Sequence, residues 1–504
     1  MRSLRPTLCW LLLAALSLTP PTSLKAASTD AGAGNWRMIV LTGPTQIAVA
    51  APGSTTGLDY QAELNAIKSA QARITPEQRK AIDYWSRGGV LRWNEILIGL
   101  VARYNLQPPP NVDNSYPVPD ANNPFAEPQF PFANPPYAAR AYSYVTVAQY
   151  DALKAAWYYK YLYNRPAPWR VDSSIQSLMP ASDLPAYPSE DAVLSGVTAE
   201  MLKLLFPAAV DEITLKAAEQ RQAAMLAGRA TSTDLAAGLA LGQAVATAFV
   251  ARAGADGMRT AGGSPAIWAA MAAGAAARGE IPWKSMDVPA RPPMLPLFGS
   301  VRAWMMTPAD IVRERPGPPP STSSELMARD VAEVRRYVDT GTREELAIAN
   351  FWADGPSTPT PPGHWNFIAQ PYVRKAEMSE VRAARTFALL NMALHDAAVG
   401  CWETKYFYFN PRPSHLDPEL KSVIGLPNFP SYTSGHSTFS GAAAEVLSYV
   451  FPSGAAEFQR QASEASISRL YGGIHYRTDL EVGLAHGKRI GGYSVTFART
   501  DGAD

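Results

Sequence analysis

The chain has 504 residues, 47% of them apolar, and its 45 basic against 44 acidic side chains leave a formal net charge of +1. That much apolar material can bury a large core, in one large domain or in two or more. The near-neutral balance gives no electrostatic basis for binding nucleic acid or an anionic membrane surface. In chain order, residues 1–27 read as an export signal: Arg2 and Arg5, an apolar run over residues 8–18, Pro20-Pro21, and the small pair Ala26-Ala27. The run is well short of the roughly 20 residues that cross a bilayer, so the expectation is an exported chain, periplasmic or secreted. Cys9 lies in that signal, which leaves Cys401 as the one cysteine of the mature chain and no internal disulfide.

An extension over residues 28–74 precedes a helical bundle over 75–255, a proline-rich connection over 256–341 and a second bundle over 342–504. Apolar periodicity predicts helices over residues 190–205, 210–226, 233–252, 324–340, 378–401, 434–450, 455–470 and 479–497. Strand-like alternation is scarce. The uncharged stretch 235–251 is short and carries Gln243, so it reads as a core helix, and no integral membrane span is expected in the mature chain. Two long proline-rich connections, 107–136 and 285–321, contain Phe125, Phe130 and Phe132, and Met294, Phe298 and Trp304. Such apolar side chains favour segments wrapped on the bundles over disordered linkers.

The two bundles look like copies of one unit. TPEQRKAIDYW (75–85) and TREELAIANFW (342–352) share a Thr cap, a Gln or Glu three residues on, and a closing aromatic pair. At a shift of 245 residues, LPAYPSEDAVLSGVTAEMLKLLFP (184–207) lies over FPSYTSGHSTFSGAAAEVLSYVFP (429–452), and Thr233-Asp234-Leu235 over Thr478-Asp479-Leu480. Trp157-x-x-Lys160 and Asn164-Arg165-Pro166 echo Trp402-x-x-Lys405 and Arg412-Pro413 with a shorter spacer. The expected fold class is therefore all-α: two helical bundles related by internal duplication, with long Pro-rich connecting loops. Chemistry belongs to the second copy. There His436, Gly435, Arg469 and His475 face Asp191, Glu190, Ala224 and Ala230 of the first, where two carboxylates would repel an anion. All six histidines also fall in the second copy.

Residues 402–479 read as one oxyanion pocket. Lys405, Arg412 and Arg469 supply three cations, and the arginines suit bidentate contacts to tetrahedral oxyanions. Ser434 adds a hydroxyl and Gly435 a backbone N–H at the start of a small-residue helical pattern, where amides and dipole favour an anion. His436 and His475 remain for chemistry. Arg469 and His475 lie six residues apart, about 240° around a continuous helix, and Gly472-Gly473 between them ends one helix so that Thr478 or Asp479 starts the next.

K-x6-RP (Lys405, Arg412-Pro413), SGH (Ser434-Gly435-His436) and SR-x5-H-x3-D (Ser468-Arg469, His475, Asp479) resemble the three motifs of the superfamily joining type 2 phosphatidic acid phosphatases, bacterial acid phosphatases and vanadium-dependent haloperoxidases. Thr433 replaces the usual Pro before Ser-Gly-His. The resemblance implies that Lys405, Arg412, Ser434, Gly435 and Arg469 bind the oxyanion and that His436 is the general acid/base. His475 would be the axial ligand of vanadate (vanadium(V)) in a peroxidase, or the phosphorylated nucleophile of a phosphatase, which would need no cofactor. Asp479 would orient His475. The segment from Phe351 to Gly355, with Thr360-Pro361-Pro362 and Trp365-Asn366, resembles the chloroperoxidase branch, in which an acidic residue hydrogen-bonds the acid/base histidine; Asp354 is the candidate. Trp402 and Phe429 match that branch's halide pocket, where bromoperoxidases tend to carry His in place of the Phe. Substrates would be hydrogen peroxide and halide or, in the phosphatase alternative, a small phosphate ester; a non-catalytic oxyanion-binding protein would need neither histidine. His395 and His486 read as core or surface residues, and His364 and His415 stay unassigned near the entrance.

Overall fold

The computed structural model describes residues 30–116 and 132–503, and no strand occurs among them. The expected export signal, Phe125 and Phe130 lie outside the described residues. The first half runs α1 (Leu58–Gln71), α2 (Pro76–Trp85), α3 (Gly89–Tyr104), α4 (Pro135–Tyr163), α5 (Pro168–Val171), α6 (Glu190–Leu205), α7 (Val210–Leu226) and α8 (Ser232–Gly254). The connection carries α9 (Pro265–Ala277), α10 (Pro308–Glu314) and α11 (Glu325–Thr340). The second half follows with α12 (Arg343–Phe351), α13 (Thr360–Lys375), α14 (Glu380–Tyr408), α15 (Pro413–Leu416), α16 (Gly435–Val450), α17 (Ala455–Tyr471) and α18 (Arg477–Ala498).

Helices α2 to α8 repeat as α12 to α18, and the duplication extends to single interactions. Thr75 with Gln78 and Thr342 with Glu345 both form capping boxes. Trp85 and Trp352 each donate the indole N–H to a glutamate, Glu219 and Glu464, at 3.0 Å. The buried pairs Arg140–Asp256 and Arg385–Asp501 close at 2.7 and 2.6 Å. Asp151 receives the amides of residues 39–41, and Asp396 those of Trp304 and Met305, so one buried carboxylate per copy pins a wrapping segment.

The 29-residue helices α4 and α14 pack on each other at the centre of the molecule. Both are buried on nearly every side, so neither shows the polar stripe that makes a surface helix legible. The pattern reading has no helix at α4 and ends α14 at residue 401, seven short of its end at Tyr408. A buried amide network, with Gln370 donating to Asn94, Asn94 to Asn366 and Asn366 to Asn391 at 2.7–2.9 Å, joins α3 to α13 and α14.

Glycines set how closely the site helices approach. A Cβ at Gly483 would stand 3.0 Å from the Ser434 carbonyl oxygen, and one at Gly487 would overlap the Thr438 carbonyl; Gly238 and Gly242 meet Ser189 and Val193 in the same way. The backbone of Ser434 is thereby clamped against α18, where its amide donates to the Asp479 carbonyl at 3.0 Å, as Ser189 donates to Asp234. Helix α8 is long and apolar enough to cross a membrane, and here it packs against α6. The connection wraps on the second bundle as expected, with Phe298 buried and the Met294 carbonyl accepting from Trp402 Nε1 and Tyr406 Oη at 3.1 and 2.8 Å.

One alignment reading is corrected. Helices α4 to α8 correspond to α14 to α18 at one shift of 245, α5 and α15 included, which places Arg165 at the position of Asn410 and Ala167 at that of Arg412. The amides of Ala186 and Ser431 accordingly bond the carbonyls of Arg165 and Asn410. There is no shorter spacer, and the first copy has no counterpart of Arg412.

Candidate active site

Helix ends carry the site. Lys405 lies on the last turn of α14, which Phe409 closes in the left-handed conformation at φ 57. Arg412 caps α15. Ser434 caps α16 by accepting the Ser437 amide at 3.3 Å, which puts Gly435 on the first turn, where amides lack an intrahelical acceptor. Arg469 is on the last turn of α17, and Gly473, at φ 73, reverses the chain beyond it. Helix α18 starts at Arg477 with Tyr476 as its cap, so Asp479 occupies the third position rather than opening the helix.

His475 is fixed from both ring nitrogens. Its Nδ1–H donates to Asp479 Oδ2 at 2.9 Å, and the Ser431 hydroxyl stands 3.2 Å from Nδ1 while donating to the same carboxylate. Nε2 is then the unprotonated nitrogen, and Arg412 Nη1 donates to it at 2.9 Å. Burial holds the imidazole well below its ordinary pKa, and Arg412, Lys405, His436 and Arg469 press the same way. The ring is therefore neutral, with the Nε2 lone pair turned to Arg412, which an incoming ligand of that nitrogen would displace.

Arg412 and Arg469 are wholly buried, and each is braced by backbone. Arg412 donates Nε to the Phe429 carbonyl at 3.0 Å and Nη1 to Ile474 at 2.8 Å. Arg469 donates Nε to Ser468 Oγ at 2.9 Å and Nη2 to the Ala349 carbonyl at 3.0 Å. Burial lowers both to about 10, so both stay charged at neutral pH. Arg412 Nη2, Arg469 Nη1 and His436 Nε2 are buried and have no hydrogen-bond partner. Buried polar atoms are seldom left so. An oxyanion carrying a proton would satisfy all three, accepting from the two arginines and donating its O–H to the neutral His436, and no group of three His, Cys, Asp or Glu suited to a bare cation occurs among the described residues.

Lys405 is placed differently from the other cations. Its ammonium donates to the carbonyls of Pro430, Ser431 and Thr433, with the first two at 2.9 and 2.7 Å. It holds the loop that delivers Ser434, and burial brings its pKa down to about 7. The Trp402 and Phe429 rings, 4.9 Å apart, lie over it, with its Nζ 5.0 Å from the Phe429 centroid.

Asp354 requires a correction. Its Oδ2 is 3.7 Å from His436 Nε2, beyond hydrogen-bond reach, and both its oxygens instead accept from His364 Nδ1 at 3.1 and 3.2 Å. His415 bonds the Lys284 carbonyl and the Arg412 amide, while His395 and His486 are buried in the core. Ser431 lies three residues before Ser434, and nothing in the sequence ties it to His475; that contact needs the loop to fold back.

A cavity of about 320 Å³ opens over His436, Arg469 and His475. Trp402, Phe429, Met294 and Arg291 line it from the second half and the connection, and Asn105, Phe132 and Asn134 from the first half. Asn105 also donates Nδ2 to the carbonyls of Gly355 and Thr358 at 2.9 and 3.1 Å, and so holds the loop carrying Asp354. The first copy is thus a wall and a brace.

Its own pocket is closed by an internal anion. Glu190, in the place of Gly435, pairs with Lys160 at 2.6 Å and with Arg229, and Arg229 also lies 3.6 Å from Asp191. Burial alone would raise the Glu190 carboxyl, but the two cations bring it to about 2. A carboxylate of the chain neutralises what an oxyanion would otherwise neutralise.

Residues 385–502 match the PAP2 superfamily model. The match spans α14 to α18, the helices that carry the site. The vanadium chloroperoxidase of Curvularia inaequalis is 30% identical over 134 residues, which are 20% of this chain and 22% of that protein, so the chain spans about a fifth of that curated relative's length. The crystal structure of a bacterial vanadium-dependent iodoperoxidase superimposes with a TM-score of 0.58 at 24% identity, covering 75% of this chain and 94% of that one. A holo-type bacterial vanadium-dependent chloroperoxidase gives 0.51 at 17%, covering 76% and 96%. The all-helical fold is that of the vanadium haloperoxidases.

Proposed function

We propose that the chain is a vanadate-dependent haloperoxidase that oxidises halide with hydrogen peroxide. The observation that carries this reading is the set of three unpartnered buried atoms, Arg412 Nη2, Arg469 Nη1 and His436 Nε2: Arg469 and His436 line one cavity with His475, Trp402 and Phe429, and Arg412 donates to His475. His475, Arg412, Arg469, Ser434 and Gly435 would hold the vanadate. When bound, that group supplies Lewis acidity that makes a peroxide oxygen electrophilic toward halide. The rest is the work of the chain. Asp479 keeps the His475 lone pair on Nε2, and the two arginines balance oxyanion charge in a low-dielectric site. Neutral His436 accepts the proton that peroxide loses on binding and returns it to the departing oxygen. Trp402 and Phe429 give the halide an apolar, weakly hydrated approach. The balance is one peroxide, one halide and one proton to one hypohalous acid and one water.

The names of the structural neighbours favour peroxidase over phosphatase, as does a duplicated architecture whose first copy walls the pocket. Phosphate would fit the same donors, with His475 Nε2 as nucleophile and His436 protonating the leaving alcohol. The arginine and apolar pattern of residues 1–27 supports export of the enzyme. The test is the purified protein assayed with p-nitrophenyl phosphate and, separately, with bromide or chloride, peroxide and a dimedone acceptor, before and after orthovanadate. Halogenation that appears with vanadate supports the proposal. Phosphate-ester turnover that vanadate inhibits, with no halogenation, would replace it with an acid phosphatase.

A further inference from the structure

We infer that His364 is a positioning residue: it takes the Asp354 carboxylate onto its own Nδ1–H and so keeps that carboxylate from His436. A carboxylate has acceptor sites for several donors, so nothing in Asp354 alone prevents a bond to His436 Nε2. The distances show which histidine holds it, 3.1 and 3.2 Å to His364 against 3.7 Å to His436. His364 is itself immobilised. Its ring stacks on Trp352 at 4.3 Å and 21° and meets the Phe351 edge at 5.1 Å, and Trp352 is tied to Glu464 on α17. Asp354 sits in the left-handed region at φ 45, on the loop braced by Asn105, so its backbone is held as well.

The consequence falls on His436. Its Nε2 is buried with no hydrogen-bond partner, and the Asp354 carboxylate lies 3.7 Å from that nitrogen. With the carboxylate engaged by His364, His436 Nε2 stays unpaired and open to a ligand proton. Were the carboxylate released, it would bond His436, stabilise the imidazolium and occupy the nitrogen that the reaction needs.

The inference rests on His436 being the acid/base of the proposed site but not on which reaction the site performs. The test therefore reads the ring and not turnover. The protein is labelled with ¹⁵N-histidine, His436 is assigned with His436→Gln, and its ring nitrogens are titrated by NMR in wild type, His364→Phe and His364→Asn. Phe keeps the stacking and removes the N–H; Asn restores an N–H near the place of Nδ1. The His364→Phe protein should titrate His436 at a pH higher by about one unit, as expected for a newly bonded carboxylate, and His364→Asn should return it toward wild type. Equal titration in wild type and His364→Phe would overturn the inference, and so would equal shifts in both variants, which mark a packing effect. Should His364→Phe fail to fold, a His364→Asn titration displaced from wild type by a unit or more would overturn it, and coincidence with wild type would support it. Absence of vanadate-dependent halogenation in wild type would defeat the haloperoxidase reading while leaving this measurement standing.

Discussion

Replacing Asp479 with Asn separates a residue that serves the anion from one that serves the fold. The Asp479 carboxylate accepts from His475 Nδ1 at 2.9 Å, from the Ser431 hydroxyl and from the Tyr476 amide at 3.4 Å, and it is almost fully buried. Burial raises its pKa from the usual 3.8 to about 6, with Ser431, Lys405 and Arg412 pulling the other way. For a carboxyl raised in the folded state, the stabilising contribution is present below the unfolded value and is lost as pH rises through the folded one. At pH 7 the ionised group therefore costs the fold about 3 kcal/mol relative to acid pH. Asn is isosteric and neutral, so the melting temperature at pH 7 should be unchanged or raised. Function should move the other way. The amide holds the His475 tautomer weakly, and loss of such a partner costs roughly 10–100-fold in affinity at the liganded imidazole. Calorimetric titration of orthovanadate, paired with thermal melts, reads both quantities. Unchanged affinity, or weaker affinity together with a melting temperature several degrees lower, would refute the assignment.

Arg469→Lys keeps the charge but cannot both bond the Ala349 carbonyl and reach the anion, so vanadate affinity should fall roughly 10–100-fold with little change in melting temperature. Glu190→Gln leaves the buried Lys160 without its counter-charge and Arg229 with Asp191 alone, and should destabilise the protein by about 3–5 kcal/mol; denaturant unfolding checks this, while vanadate affinity of the folded fraction stays at the wild-type value. Because burial brings Lys405 to about 7, a cation beside the pocket is lost as pH rises through that value. Anion binding favours its protonated form, so phosphate affinity measured by titration from pH 6 to 9 should weaken by up to tenfold per pH unit above about 7.

Much of this was legible before folding. Helices α6 and α16 carry serine caps, and the bounds of α6, α7 and α16 follow from the sequence to within a residue. The cations and histidines of the pocket were legible because motif order and spacing restrict them. Helix α4 was not, because a helix buried on every side has no periodic contrast. Arg165 was misaligned because a local Asn-Arg-Pro match outweighed a register that only the neighbouring helices fix. His364 lies ten residues from Asp354 on a loop and helix whose closure no spacing rule specifies, and the brace from Asn105 joins segments 250 residues apart. Lys405 was read as an anion ligand because charge is visible in sequence, whereas the three carbonyls that hold it are a property of the folded loop.

The most direct test of the oxyanion pocket is a crystal structure of the protein grown with orthovanadate. Vanadium bonded to His475 Nε2, with Arg412 Nη2 and Arg469 Nη1 on its oxygens, is the predicted result. Vanadium bound elsewhere, or a vacant pocket at saturating vanadate, would contradict it.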